Sequence, residues 1–376
     1  METVDRIEVY YDGRHVGTIA PYQRYLTAFE YSREWIGTGF SISPFSLPLE
    51  AGVKIATADP FEGLFGVFAD SLPDGWGRLL VDRMLRREGL RPEMVDPLMR
   101  LSIVGKSGAG ALEYKPVFKL DSFEQDTDLD RLAQACSMIL QSKETEDLDT
   151  LYAMGGSSGG ARPKVTLKTL DGEWIVKFPS SGDPDDIGLL EYEYNLCAKE
   201  CGISVPEVKL FPSAQCAGYF ASRRFDRVEN DQGKEKIHMA SASALLEVSH
   251  RIPALDYMSL MSLTWQLTKS AEDLEKMYTL MCFNVFAHNR DDHSNNFSYL
   301  CDHGQWRLAP AYDLTYSNSI GGEHATTVAG EGRNPGIKEI LQVAQKAGIR
   351  GAQAKQIADK VKCVVDERLS KYLKAI

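Results

Sequence analysis

The chain has 376 residues, 43% of them hydrophobic and 25% charged, with a formal net charge of −11. That length exceeds what one core usually serves and points to two or three packed units. The acidic balance argues against sequence-independent binding of nucleic acid. No stretch approaches the roughly 18 apolar residues of a membrane span. The charged start "METVDRIEVYYDG" reads as no secretion signal. The cysteines, Cys136, Cys197, Cys201, Cys216, Cys282, Cys301 and Cys363, form no CxxC pair and mostly sit in apolar patterns. They read as buried, reduced thiols of a cytoplasmic protein.

In chain order, "IEVYY", the turn pair Asp12-Gly13 and "HVGTIA" predict a hairpin. "LPDGWGRLLVDRMLRREG" predicts a helix, with Asp74 at its cap and Gly89 after its last turn. "VGKS" (104–107) carries Arg100 where a Walker loop has its first glycine, so that reading is rejected. The acidic "LDSFEQDTDLD" marks a unit boundary, and a helix is expected over 128–143. A Gly/Ser-rich stretch, "GGSSGGARPK" (155–164), then precedes a hairpin that turns at Asp171-Gly172. The second strand of that hairpin carries Lys177, on the face of Ile175. "DIGLLEYEYNLCAKECGI" predicts a helix closed by Gly202 and offers Glu191 and Glu193, with Glu191 preferred as a partner for a strand lysine. "YFASRRFDRV" is a strand candidate, and helical patterns dominate from about residue 238. The order of elements predicts an α+β fold in two lobes.

"AHNRDDHSNNFS" (287–298) follows an amphipathic helix marked by Leu274, Met277, Tyr278, Met281 and Val285. After it, "FSYL", "DHGQ" and "WRLAPAYD" predict a second hairpin. A turn at His303-Gly304 sets Asn296 opposite residue 311, close to Asp313. Asp291, Asn296 and Asp313 can therefore converge. Phosphoryl transfer needs a group at the acceptor hydroxyl and oxygen ligands for Mg²⁺. In protein kinases an Asp and an Asn occur as D-x-x-x-x-N, followed by a second Asp beyond a short hairpin. Asp291 is assigned to the hydroxyl, and Asn296 with Asp313 to the metal. "YDLT" stands where D-F-G would, and Asn289 stands where H-R-D has its His. His293 is expected to orient the loop, and His288 to cap the helix end. A solvated loop and a metal cluster of Asp291, Asp292 and His293 are the bland alternatives. Upstream, Lys177 would meet phosphate, and the Gly/Ser-rich stretch could lay backbone N–H groups along phosphates.

The motifs "SLPDGWGRLLVDRML", "SSGGARPK", "WIVKFP", "RRFDR", "HMASASALL", "NRDDHSNNFS" and "LAPAYDLTYS" occur in the order of the HipA family of serine/threonine kinase toxins, which the chain resembles over nearly its whole length. The resemblance implies a protein-kinase-like fold with an extra β-rich N-terminal subdomain (1–118), a kinase-like N-lobe (119–240) and an all-helical C-lobe (241–376). It implies ATP and Mg²⁺, with Asp291 catalytic and Asn296 and Asp313 as metal ligands. Gly159, Gly160, Ala161, Arg162, Pro163 and Lys164 would form the phosphate loop, with Lys177 and His293 also at the nucleotide. The backbone of Arg223, Arg224 and Phe225 would meet adenine, although some members carry Glu where Arg223 stands. A loop serine, Ser157 or alternatively Ser158, would be autophosphorylated. The implied partners are a HipB-like helix-turn-helix antitoxin, operator DNA through that antitoxin, and an aminoacyl-tRNA synthetase as substrate. A lipid or small-molecule kinase is a second reading, since Asp291, His293 and Asn296 also fit D-x-H-x-x-N. A catalytically silent scaffold for an antitoxin is a third.

Overall fold

A computed structural model describes residues 4–23, 25–120, 128–230, 233–319 and 321–373. Most of the acidic stretch read as a unit boundary, 121–127, lies outside them. The chain forms two compact units, Met1–Leu189 with Val208–Met239, and Leu190–Glu207 with Ala240–Ile376. The first thus holds segment 1–118 and most of 119–240.

In the first unit, the expected hairpin joins β1 (Ile7–Tyr11) to β2 (Arg14–Tyr22). Asp12 and Gly13 both adopt positive φ, 47° and 71°, as a tight right-twisting hairpin requires. β3 (Leu26–Tyr31), β4 (Lys54–Ile55) and β5 (Leu112–Lys115) complete an antiparallel sheet of order β4-β3-β2-β1-β5. Alternation in β1 buries Ile7, Val9 and Tyr11 and leaves the residues between them half-covered.

A second antiparallel sheet has the order β6-β7-β9-β8, from β6 (Lys164–Thr169), β7 (Gly172–Lys177), β8 (Val208–Phe211) and β9 (Tyr219–Arg223). Trp174 and Val176 of β7 point into a core shared with Leu132, Cys136 and Ile139 of the helix Leu129–Leu140. Trp76 and Leu80 of the helix Gly75–Arg87 join the same core. Val81, Met84 and Leu85 of that helix bury against Met99 and Ile103. Full burial of each such side chain is worth about 1.5–3 kcal/mol, so one helix welds two layers. Asp74 stands at the cap position, but its carbonyl rather than its side chain takes the Gly77 N–H, at 3.1 Å. Gly89 ends the helix at φ 73°, as its position predicts. The helix Leu148–Gly155, which runs directly into the Gly/Ser-rich loop, has no counterpart in the sequence reading.

The second unit is helical apart from two small sheet elements. Helices Tyr257–Thr268, Ala271–Phe286, Ile337–Lys346 and Gly351–Arg368 enclose a core with Tyr194, Met277, Tyr278, Phe283, Val361 and Val365. Strands Ser298–Asp302 and Gln305–Leu308 pair with Asp302 opposite Gln305. His303 and Gly304 form the turn at φ 46° and 90°, so the register is the one the turn chemistry predicts. Leu255–Asp256 pairs in parallel with Thr326–Thr327. "All-helical" therefore needs these strands added. No helix among the described residues is long and apolar enough to cross a membrane.

Candidate active site

The helix Ala271–Phe286 starts at Ser270, whose hydroxyl accepts the Asp273 N–H at 3.1 Å. It ends where Ala287 closes on Phe283 and His288 turns to φ 52°. Burial, then the charges of Arg290 and His324, hold the His288 imidazole below its usual range. A cationic cap at this helix end is thus disfavoured, contrary to the sequence reading. Beyond it the chain is tied down by its neighbours. Ser317 donates to the His288 carbonyl (3.1 Å), Arg290 to the Ser317 carbonyl (3.2 Å), and Ala325 to the Arg290 carbonyl (3.1 Å).

Asp291 and Asp292 then point to opposite sides. The Asp291 side chain is 63% exposed and that of Asp292 is fully buried. Asp292 Oδ2 accepts from the Tyr257 hydroxyl and from His324 Nδ1, both at 2.9 Å, and its Oδ1 accepts from the Thr326 N–H at 3.2 Å. Burial and the Asp292 charge push the Tyr257 phenol far above its usual range, so it remains a donor. Asn284 donates to Tyr257 (2.9 Å), and Asn289 to Asn284 (3.0 Å). Asp291, Asp292 and His293 consequently present no common face to an ion.

Asn296 lies in a 3-10 turn, Ser294–Asn296, and its Nδ2 donates to the Asp291 carbonyl at 2.7 Å. Its amide oxygen is then the atom left for a cation. Asp313 follows the hairpin at φ 53°, a backbone state Asp tolerates better than most residues. Ala311 donates to the Ser204 carbonyl at 2.8 Å, and Leu314 is buried, which fixes both flanks. The Tyr312 hydroxyl donates to the Asn295 carbonyl and pairs with Ser298 Oγ at 2.6 Å. The residues preceding Asn296 and Asp313 are thereby joined. His293 Nε2 lies 3.9 Å from Asp291 Oδ1, and its ring centroid is 5.5 Å from that of His250. Hard cations take oxygen ligands, and the Asp313 carboxylate and the Asn296 amide oxygen are both of that kind.

The other candidates lie in the first unit. On β7, Lys177 shares the half-buried face of Ile175, and its Nζ lies 5.6 Å from the centroid of Phe220. Lys164 is opposite it in the ladder and donates from Nζ to the Gly159 carbonyl at 2.7 Å. Trp76 donates its N–H to the Gly160 carbonyl (2.9 Å) and its indole N–H to the Lys164 carbonyl (3.0 Å). A Cβ on Gly77 would stand 2.2 Å from the Ser158 carbonyl oxygen, and one on Gly75 2.4 Å from that of Gly160. The motif "DGWG" is therefore a seat for the loop. Ser158 Oγ donates to the Gly155 carbonyl at 2.6 Å, while Gly159, Gly160 and Ala161 are exposed. Arg162 pairs with Asp183, and the Pro163 carbonyl accepts the Phe178 N–H.

The segment "RRFDR" does more than continue a strand. The Arg224 N–H meets the Glu173 carbonyl at 2.8 Å, but its guanidinium forks onto Asp226 at 2.9 and 2.7 Å. Arg227 reaches the Gly108 and Gly110 carbonyls, and the Gly110 N–H donates to Asp226. Burial opposes the Asp226 charge, yet Arg224 and Arg227 overcome it and hold its carboxyl below the usual range. Arg223 ends β9 opposite Trp174, and Phe225 is half-buried. Glu191 is buried, whereas Glu193 is bound by Lys371 and Tyr372. The sequence reading missed Tyr257, His324 and Tyr312, and took Asp292 only as a possible metal ligand, because nothing local marks these residues as neighbours.

A family model of the HipA-like C-terminal domain matches residues 156–368, and one of the HipA N-terminal domain matches residues 7–115. The chain belongs to the HipA family. A curated relative, "Putative kinase Y4mE" of Sinorhizobium fredii (strain NBRC 101917 / NGR234), is 27% identical over 345 residues, covering 83% of this chain and 77% of that protein. A chain of the toxin–antitoxin complex of HipA, HipB and operator DNA from Shewanella oneidensis MR-1 superposes with a TM-score of 0.72 at 16% identity. That match covers 98% of this chain and 91% of the other. It establishes the α+β, protein-kinase-like fold of HipA proteins, with the extra β-rich N-terminal subdomain.

Proposed function

We propose that this HipA-family chain is an ATP- and Mg²⁺-dependent protein serine/threonine kinase, acting as the toxin of a type II toxin–antitoxin pair in the cytoplasm. The observation that supports the reading is the Asn296–Asp291 hydrogen bond, with the Tyr312 hydroxyl tying the residue before Asp313 to the residue before Asn296. Asp291, the exposed carboxylate, accepts the proton of an acceptor hydroxyl. That oxygen bonds to the γ-phosphorus as the bond to the β-phosphate oxygen breaks, with ADP leaving. Mg²⁺ supplies neutralising charge to the phosphate oxygens, and Asn296 and Asp313 would hold it. Lys177 and the backbone of Gly159–Ala161 bind phosphate oxygens, and the backbone of Arg223–Phe225 binds adenine. Arg162 and Lys164, which pair with Asp183 and the Gly159 carbonyl, join them at the phosphates.

Ser157 is the proposed autophosphorylation site, because the Ser158 hydroxyl is engaged by the Gly155 carbonyl. A phosphate there adds roughly −1.5 to −2 charges to a loop meant to hold phosphate, which opposes nucleotide binding. A HipB-like antitoxin, operator DNA through it, and an aminoacyl-tRNA synthetase target complete the proposal. The Shewanella relative was solved with HipB and operator DNA, which supports the antitoxin assignment. Intact-mass measurement after incubation with ATP and Mg²⁺ tests the reading. One added phosphate on the wild type, absent in Ser157→Ala and in Asp291→Asn, is expected. Transfer to a lipid or a sugar but to no protein would favour the second kind of kinase. No ATP binding at all would favour a silent scaffold.

A further inference from the structure

The kinase reading gives no task to the most heavily bonded carboxylate of the loop. Asp292 is fully buried and bound through every part of the residue that can accept. Besides Tyr257, His324 and the Thr326 N–H on its carboxylate, its own carbonyl accepts from Thr326 Oγ1 at 2.5 Å. The loop around it has no helix or strand to hold it before Ser294. His324, the donor from across the unit, is itself anchored. Its N–H donates to the Gly332 carbonyl at 2.7 Å, and its segment is pinned to Asp256 by Thr327 Oγ1 (2.7 Å) and the Gly330 N–H (2.8 Å). Asp256 in turn accepts the Met258 N–H at the start of the helix that carries Tyr257.

We propose that His324, acting through Asp292, is a positioning residue for Asp291. The inference rests on Asp291 being the group at the acceptor hydroxyl. Adjacent residues of an extended loop project to opposite sides, so a fixed Asp292 carboxylate sets the direction of Asp291. Without His324, Asp292 Oδ2 keeps only the Tyr257 hydroxyl and gains freedom to rotate. A shift of about 1 Å in a reacting group costs on the order of 10²-fold in rate. The phosphate loop and Lys177 belong to the other unit, and the Asn296 bond goes to the Asp291 carbonyl and not to its side chain, so nucleotide binding should change far less than the rate.

The test compares His324→Ala, His324→Asn and His324→Gln in the full chain. An Asn amide nitrogen can stand where Nδ1 stands, whereas that of Gln reaches the Nε2 position. The single-turnover rate constant of Ser157 phosphorylation at saturating ATP (taken as kcat) and its half-saturating ATP concentration (taken as KM) are followed, binding of a non-hydrolysable ATP analogue is titrated, and backbone amide exchange is read over 288–296. For His324→Ala and His324→Gln the expected result is a kcat lowered about 10- to 100-fold, with KM and analogue affinity within about twofold. His324→Asn is expected to regain most of the rate. An unchanged kcat, a parallel loss of analogue affinity, or an Asn variant no better than the Gln variant would overturn the proposal. If His324→Ala does not fold, the Asn and Gln pair decides. If the wild type transfers no phosphate, the kinase reading fails. Amide exchange then decides the positioning role, which requires faster exchange over 288–296 in the Gln variant than in the Asn variant.

Discussion

In the loop 155–164 the chain is held through its backbone carbonyls. The carbonyls of Gly155, Gly159, Gly160 and Lys164 accept from Ser158, Lys164 and Trp76, and Gly75 and Gly77 let two segments approach where no side chain would fit. In the loop 287–296 the work falls to side chains, with Asp292, Tyr257, His324, Asn284 and Asn289 forming one buried chain of hydrogen bonds. The first arrangement leaves backbone exposed, which suits a site that wraps phosphates. The second leaves one carboxylate exposed at a fixed angle, which suits proton transfer. Steric change should break the first, and loss of a polar partner the second.

The largest effect is expected from Asp292→Ala. It leaves the Tyr257, His324 and Thr326 donors buried without their acceptor, and should cost about 3–5 kcal/mol in urea unfolding. An acid titration gives the next largest effect. Burial lowers the His238 imidazole to about 4, with Nε2 against the Ile42 carbonyl at 2.8 Å. Because the folded value lies below the unfolded one, this contribution is complete above about pH 6.5 and is lost as pH falls towards 4. The loss should reach up to about 3 kcal/mol, and His238→Gln should flatten it in a pH series of thermal melts. Gly77→Ala presses a Cβ on the Ser158 carbonyl, so stability should fall by about 1–3 kcal/mol. The ATP KM should rise with it while kcat stays close to wild type, the reverse of the His324 variants. Smallest is Ser270→Ala, which removes the cap of the helix leading to the catalytic loop. About 1 kcal/mol is expected by denaturant midpoint, with both kinetic constants unchanged.

The hairpins were legible because their turns are local chemistry. Asp12-Gly13 and His303-Gly304 carry positive φ, and the register of 298–308 follows from the second of them. The spacing of Asp291 and Asn296 was legible for the same reason. The partners of Asp292 were not, because Tyr257 and His324 are remote in sequence and nothing local marks them as neighbours. "RRFDR" reads as the end of a strand, yet Arg224, Asp226 and Arg227 form a buried clamp on Gly108 and Gly110. The glycines that receive that clamp lie just after the "VGKS" rejected as a Walker loop. Such pairings arise only once remote backbone and buried charge meet, which no periodicity records.

The most direct test of the central claim is the rate of phosphate transfer from ATP to Ser157 in the wild type, Asp291→Asn and Asp313→Asn, with folding checked by thermal melting. Transfer in the wild type, and losses of about 10²–10⁴-fold in both variants at unchanged melting temperature, are the expected result. Equal rates in all three, or no transfer by a folded wild type that binds ATP, would contradict it.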